Sequence, residues 1–230
     1  ILAEGEARRK ARRSIGGHER WVVVAADRII YWLTRHWLLV LNILAALYVG
    51  LPLLAPVLMF VGITGAARVI YALYHPLCHQ LPQRSWFLLG PQAAYSLTDL
   101  KEYLGDASAP SPWQSAFIGN AAVGYKMAIC QRCTAIYGTI AVSGMVYDVL
   151  RRRKLPPMPI WAYLALGIVP MVIDGGWQWV SYAISLLMPQ LPIGPHETTP
   201  LLRSVTGVLF GLSTVWLAYP YVQETMDEFR

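Results

Sequence analysis

Four long apolar runs alternate with polar segments along the chain. At 1.5 Å per residue, each run is long enough to cross the roughly 30 Å hydrocarbon core of a bilayer as a helix. The pattern therefore predicts an all-α polytopic membrane protein whose four transmembrane helices form one membrane domain, residues 37–222. The predicted spans are about residues 37–62, 128–150, 161–188 and 201–222.

The segment before the first run, residues 1–36, is polar and basic. It begins as a solvated basic tail, and over residues 21–36 apolar and charged residues alternate at helical spacing. We expect the second part to be an amphipathic helix in the membrane interface, or else an N-terminal extension of the first span. Because the chain begins with Ile1 and not Met, we also expect further sequence upstream.

A long polar segment, residues 63–127, separates the first two runs. Residues 63–80 have helical apolar spacing that is interrupted by Arg68 and by a His/Cys cluster. Residues 82–113 are rich in Pro, Ser and Gly. We predict an amphipathic or re-entrant helix followed by an irregular stretch, which makes this outer loop partly helical.

The distribution of positive charge predicts the orientation. Of the 19 Lys and Arg, 13 fall before the first span, between the second and third spans, or in the tail 223–230. With four spans these segments share one side, which the positive-inside rule makes cytoplasmic. We predict an inner-membrane protein with both termini in the cytoplasm. The net charge of +6 then reflects orientation in the lipid bilayer and not nucleic-acid binding.

All three cysteines lie in two short motifs on the predicted outer side. The first motif places His75, Cys78 and His79 at positions i, i+3 and i+4. The second is a C-x-x-C at the start of the second span. Both spacings bring side chains to one face of a helix, and a Cys₃His set suits tetrahedral zinc, with iron as the alternative. The predicted metal ligands are Cys78, His79, Cys130 and Cys133, with His75 in reserve.

A second group of polar residues falls where lipid exposure would be costly. Asp174 and Gln178 face one direction in the third span, one turn after Pro170. Counting depth from the span ends places Asp174 level with the first turns of the second span. The alternative for Arg132 and Arg203 is extension toward lipid headgroups. The predicted polar cluster inside the bundle consists of Arg84, Arg132, Tyr137, Asp174, Gln178, Glu197 and Arg203.

Four motifs resemble, in order and spacing, those of the DUF2085 family of prokaryotic membrane proteins. They are CHQLPQRS (78–85), CQRCTAIYG (130–138), DGGWQ (174–178) and ETTPLLRSVTG (197–207). The resemblance covers about residues 70–211 and departs from the family pattern at residues 198–200. Because the function of that family is unknown, the resemblance implies a membrane protein and these site positions but no activity.

Three functions remain open on the sequence alone. A closed four-ligand metal site would be structural, which favours an accessory subunit of a membrane complex over an enzyme. Cys130 and Cys133, beside Arg132, would also suit a membrane thiol-disulfide or quinone oxidoreductase. The region of Asp174 and Gln178 would suit transport of a small solute or ion. We favour the first, with lipid and other membrane subunits as partners.

Overall fold

The computed structural model describes most of the chain. The described residues are 17–104, 116–150, 155–188, 190 and 196–228, with side chains from residue 20 onward. The predicted basic tail before residue 17, the basic run 151–154 and Arg230 lie outside the described residues. So does the part of the predicted outer loop that spans 105–115.

Helices dominate the described chain, with one small sheet between the first two membrane helices. A short 3₁₀ turn, Pro82–Arg84, precedes the first strand. In chain order the elements are α1 (Gly17–Phe60), α2 (Thr64–Tyr74), β1 (Ser85–Leu88), α3 (Leu97–Leu104), β2 (Gly119–Asn120), β3 (Gly124–Cys130), α4 (Gln131–Leu150), α5 (Ile160–Leu187) and α6 (Pro200–Glu228).

Four of these helices, α1, α4, α5 and α6, are long and apolar enough to cross a membrane, which confirms the predicted fold class. Many of their large apolar side chains are exposed, for example Val149 and Trp179. In water such a surface would be unfavourable, whereas hydrocarbon solvates it. The chain is therefore a multi-pass membrane protein.

Helix α1 joins the predicted interfacial segment to the first span. His36 leaves the helical backbone conformation, with φ −119° and ψ 15°, so the helix bends there. The bend falls at the predicted boundary between the N-terminal segment and the membrane domain. Residues 17–36 are thus helical and continuous with the span, and the place of residues 21–36 in the membrane interface stays a prediction.

Helix α5 contains an irregular turn in front of Pro170. Residues Leu164–Ile168 form a π-helical segment, and Val169–Leu187 continue as α-helix. Proline lacks the N–H that would bond one turn back, so the hydrogen-bond ladder has to change near this position. The irregular turn thus lies just before the part of α5 that carries Asp174.

The backbones of α4 and α6 approach each other closely. A Cβ added at Gly207 would lie 2.8 Å from the carbonyl oxygen of Arg132, and one added at Gly211 would lie 2.6 Å from that of Ile136. Small residues permit this approach between membrane helices. The contact holds the first turn of α4, which carries Cys133, against α6.

A buried aromatic cluster marks one end of the bundle. Trp37 of α1 packs with Tyr147 and Tyr219, which lie near the C-terminal ends of α4 and α6. The backbone N–H of Met158 donates to the carbonyl of Trp216 at 3.2 Å, which places the segment before α5 at this end as well. The span entry of α1, the residues just before α5 and the C-terminal part of α6 therefore share one end of the bundle.

The segment between α1 and α4 is more regular than predicted. Its sheet is antiparallel in the order β1-β3-β2, with Ser85 opposite Cys130 and Leu88 opposite Tyr125. The prediction of an irregular stretch after Pro82 is wrong for the described residues. Beneath the sheet lies a small core, made of Phe87, Tyr95, Leu100 and Val123.

Two predicted helical stretches have different ends in the structure. Helix α2 ends at Tyr74, although His75 still has a helical backbone with φ −58° and ψ −41°. Pro76 has no N–H to continue the helical bonds, and the backbone N–H groups of Leu77 and Cys78 both close a turn on the carbonyl of Tyr74. Cys78 and His79 therefore do not continue a helix, and the predicted shared helical face with His75 is wrong. The second span begins at Gln131 and not at residue 128, because the residues before it pair with β1 as a strand.

Candidate metal centre and adjacent polar cluster

Three cysteines converge at the end of the bundle opposite the aromatic cluster. The Sγ atoms of Cys78, Cys130 and Cys133 all lie within 4.8 Å of one another, and all three are free thiols. Cys130 is the last residue of β3 and Cys133 lies in the first turn of α4, so a strand that runs directly into a helix places both. Cys78 follows α2, and its Sγ accepts from the backbone N–H of Cys130 at 3.2 Å.

The three sulfurs are spaced as ligands of a single metal ion would be. Zn–S bonds of roughly 2.3 Å place tetrahedral sulfurs about 3.8 Å apart, so a small contraction would bring all three onto one ion. His75 and His79 are exposed, and neither belongs to this group of described residues. The structure therefore brings together three of the four predicted ligands and leaves His79 outside.

The thiols are electrostatically unequal. Hydrogen bonds from the thiols of Cys133 and Cys78, together with the nearby Arg132 guanidinium, hold the pKa of Cys130 well below its usual range. The bond that the Cys78 thiol donates to Cys130 is the main reason why the pKa of Cys78 is raised to about 11. Cys130 is thus the first of these two thiols to become a thiolate, the form that binds metal and reacts.

Lys126 lies beside this cluster and is fully buried, at 0% exposure. Its ammonium donates to the carbonyl of Gln80 at 2.6 Å. Burial lowers the pKa of Lys126 to about 7, while the negative charge of Cys78 acts in the opposite direction. Sequence reasoning missed this residue, although a lone lysine in the otherwise uncharged stretch 117–131 was a usable signal.

Arg203 of α6 is the centre of the neighbouring polar cluster and is only 3% exposed. Its Nε donates to Thr198 Oγ1 at 3.0 Å, and its Nη2 donates to Glu197 at 2.5 Å. Its Nη1 donates to Gln131 Oε1 and to the carbonyl of Gln83, both at 3.2 Å. One guanidinium therefore connects α6 with the start of α4 and with the turn before β1.

Glu197 also forms an ion pair with Arg84, at the partly exposed edge of the cluster. The Nε of Arg84 lies 2.9 Å from Glu197 Oε2. This pair is partly solvated, with side chains 31% and 36% exposed. Glu197 thus connects a buried arginine with one near the surface.

Arg132 and Asp174 form the deepest pair of the cluster. Nη2 of Arg132 donates to Asp174 Oδ2, which also accepts from Thr206 Oγ1 at 3.2 Å. Asp174 Oδ1 and Arg132 Nε are buried without a partner among the described residues. The guanidinium lies against Gly175, where an added Cβ would be 2.8 Å from Nη1. A glycine after the aspartate therefore makes room for the arginine.

The two remaining members of the predicted cluster are in different surroundings. Gln178 is buried, and its amide lies 2.9 Å from Thr198 Oγ1, within reach of Arg203. Tyr137 instead packs against Tyr48 of α1, with ring centroids 4.2 Å apart and the ring planes tilted by 52°. The structure thus brings together six of the seven predicted polar residues and places Tyr137 in an aromatic contact.

Sequence reasoning also missed the neutral partners of these charges. Gln131 is fully buried, and its Nε2 donates to the carbonyl of Ser85 at 3.1 Å. Thr198 Oγ1 accepts from Arg203, and Thr206 Oγ1 donates to Asp174 Oδ2. Gln131 and Thr206 stand next to, or three residues from, a predicted charge in the sequence, which was the available signal.

The fold and this site define a class: polytopic α-helical membrane proteins with a three-thiol cluster beside an arginine-carboxylate cluster. Residues 113–217 match the model of the DUF2085 family, which is described as a predicted membrane protein. The family resemblance predicted from the sequence is confirmed over this part of the chain. The matched range, residues 113–217, contains Cys130, Cys133, Asp174, Glu197 and Arg203.

One curated relative extends the similarity over most of the chain. It is an uncharacterized protein of Methanocaldococcus jannaschii, 26% identical over 191 residues. The alignment covers 81% of this chain and 92% of the relative. No solved structure matches.

Proposed function

We propose that this chain is an integral membrane protein that binds one metal ion, zinc or alternatively iron, through Cys78, Cys130 and Cys133. The observation that carries the proposal is the convergence of the three sulfurs, from two separate segments of the chain, within 4.8 Å. These are all the cysteines in the chain, so no residue of this type is left over. Soft thiolates with this spacing are ligands that zinc and iron accept.

The fourth coordination position belongs to His79 or to a ligand from outside the protein. His79 follows Cys78 directly, but its exposed side chain has to turn inward to reach the cluster. With His79 bound the site is closed and structural, which suits an accessory subunit of a membrane complex. Without it the site keeps an open position.

We place the metal site on the outer face of the cell membrane, with both termini in the cytoplasm. The support is that the thiol cluster lies at the bundle end opposite the aromatic cluster. In the sequence, 13 of the 19 basic residues lie before Trp37, between α4 and α5, or after Tyr219, and the described residues that border these positions are at the aromatic end. Reporter fusions at residue 230 and in the α4–α5 connection should both report the cytoplasm.

Elemental analysis of protein purified in mild detergent without chelator tests the metal proposal. We expect about one equivalent of zinc or iron per chain, and near zero in Cys130→Ser and Cys133→Ser. His75→Ala is the matched control and should keep the metal. His79→Ala decides the fourth position, because loss of metal identifies a closed site. A folded wild-type chain that holds no metal and takes up none would refute the proposal.

A second candidate, a thiol-quinone oxidoreductase, is favoured by the lowered pKa of Cys130 beside Cys133. In that reaction two thiols become one disulfide, and a quinone takes up the two electrons and two protons to become a quinol. Thiol trapping in membranes with oxidised or reduced quinone tests it. Cysteines that stay reduced and metal-bound in both conditions would exclude this function.

A further inference from the structure

Gln80 connects Lys126 to the thiol cluster through its own backbone. Its backbone N–H acts to lower the pKa of the Cys78 thiol, and its carbonyl accepts from the Lys126 ammonium at 2.6 Å. Gln80 has a left-handed backbone conformation, with φ 50°. That conformation, rare for a residue with a side chain, lets one residue face both groups.

A ring of buried hydrogen bonds fixes this arrangement. The Gln80 side chain donates to the carbonyl of Tyr71 at 2.8 Å, and the Tyr71 hydroxyl donates to the carbonyl of Lys126. All three residues are buried. Satisfied buried networks are rigid, so the ammonium is held in a defined position beside Cys78.

The negative charge of a metal site with three thiolates can be balanced by the Lys126 ammonium. Three thiolates and a divalent ion carry a net charge of −1, which is costly in a buried site unless a cation balances it. Arg132 and Arg203, the other cations near Cys130, are engaged with Asp174 and Glu197. Lys126, on the side of Cys78, has the sign and position to balance the cluster.

We propose that Lys126 is the charge partner of the metal-thiolate cluster and makes it selective for a divalent ion. This inference rests on the proposed metal site and adds the class of ion that the site takes. With Lys126 a divalent ion leaves the buried group neutral, whereas a trivalent ion leaves it positive. Lys126 binds no metal itself and acts as a positioning and charge-balancing residue.

Substitutions at Lys126 separate its charge from its hydrogen bond. Lys126→Gln keeps an N–H donor for the Gln80 carbonyl and lacks the charge, whereas Lys126→Arg keeps the charge. Co²⁺ titration, followed by the thiolate-to-cobalt charge-transfer absorption, measures occupancy directly. We expect Lys126→Gln to weaken Co²⁺ and Zn²⁺ binding by about ten- to hundredfold, and Lys126→Arg to weaken it less. Lys101→Met, which removes an exposed lysine on α3, is the control and should bind as wild type does.

Two results would overturn the inference. The first is wild-type affinity in folded Lys126→Gln, which would show that only the hydrogen bond matters. The second needs no variant: wild-type protein that binds Ga³⁺, a redox-inert trivalent ion, as tightly as Zn²⁺ has no preference for divalent charge. If Cys130→Ser still abolishes Zn²⁺ binding, either result would overturn the role of Lys126 but not the proposed metal site. A wild-type chain that binds neither ion refutes the metal site itself.

Discussion

Arg132, which stands between Cys130 and Cys133 in the sequence, forms an ion pair with Asp174 in the interior of the bundle. The pair connects the first turn of α4 to the middle of α5. Because the same turn carries Cys133, the geometry of the thiol cluster depends on how the third span packs. The cysteines and the intramembrane carboxylate therefore belong to one structural unit.

Asp174→Asn should destabilise the protein by about 2 kcal/mol. Loss of one partner from a fully buried pair costs about 3–5 kcal/mol because the remaining charge has no compensation, and the cost here is smaller because the Arg132 side chain is 19% exposed. Thermal unfolding in detergent measures the change. The double variant Arg132→Gln/Asp174→Asn should cost less than the sum of the two single variants, since neither charge remains. Additive costs would show that the two residues are not coupled.

Gly207→Ala should loosen the contact between α4 and α6 and weaken metal binding together with stability. The new Cβ would lie 2.8 Å from the carbonyl oxygen of Arg132, a backbone atom that cannot move away alone. Overpacking of this kind costs about 1–3 kcal/mol. The midpoint of thermal unfolding and the Co²⁺ affinity are the two measurements.

Gly138→Ala is the matched control, because Gly138 lies on α4 with nothing within 4 Å of an added Cβ. Alanine is the better helix former by up to about 1 kcal/mol, so this variant should be at least as stable as wild type. Equal destabilisation by the two alanines would contradict the close packing of α4 and α6.

The membrane helices could be predicted from sequence because the length of an apolar run is a local property. The approach of Asp174 to Arg132 could also be anticipated, since charges in a bilayer have few alternatives to pairing within the bundle. Both inferences need only the position of a residue along its own helix.

The sheet and the lysine could not be predicted in the same way. β3 pairs with β1, which lies about 40 residues earlier in the chain. The local sequence of a strand does not indicate which distant strand it pairs with. This pairing moves the start of α4 past Cys130 and places Cys130 and Cys133 in different elements. Lys126 would normally be expected in solvent, and the structure shows that its ammonium is buried where it donates to the carbonyl of Gln80.

Arg203→Lys should destabilise the protein far more than Arg84→Lys, although both residues pair with Glu197. Arg203 is buried and donates to four groups, including Gln131 Oε1 and Thr198 Oγ1. The single ammonium of lysine cannot reach all of them, and each buried acceptor left without a donor costs about 1–3 kcal/mol. Arg84 is 31% exposed, so lysine should preserve its pair to within about 0.5 kcal/mol. Thermal unfolding of the two variants, purified in the same detergent, compares them directly, and similar small losses would show that Arg203 does not organise the polar cluster.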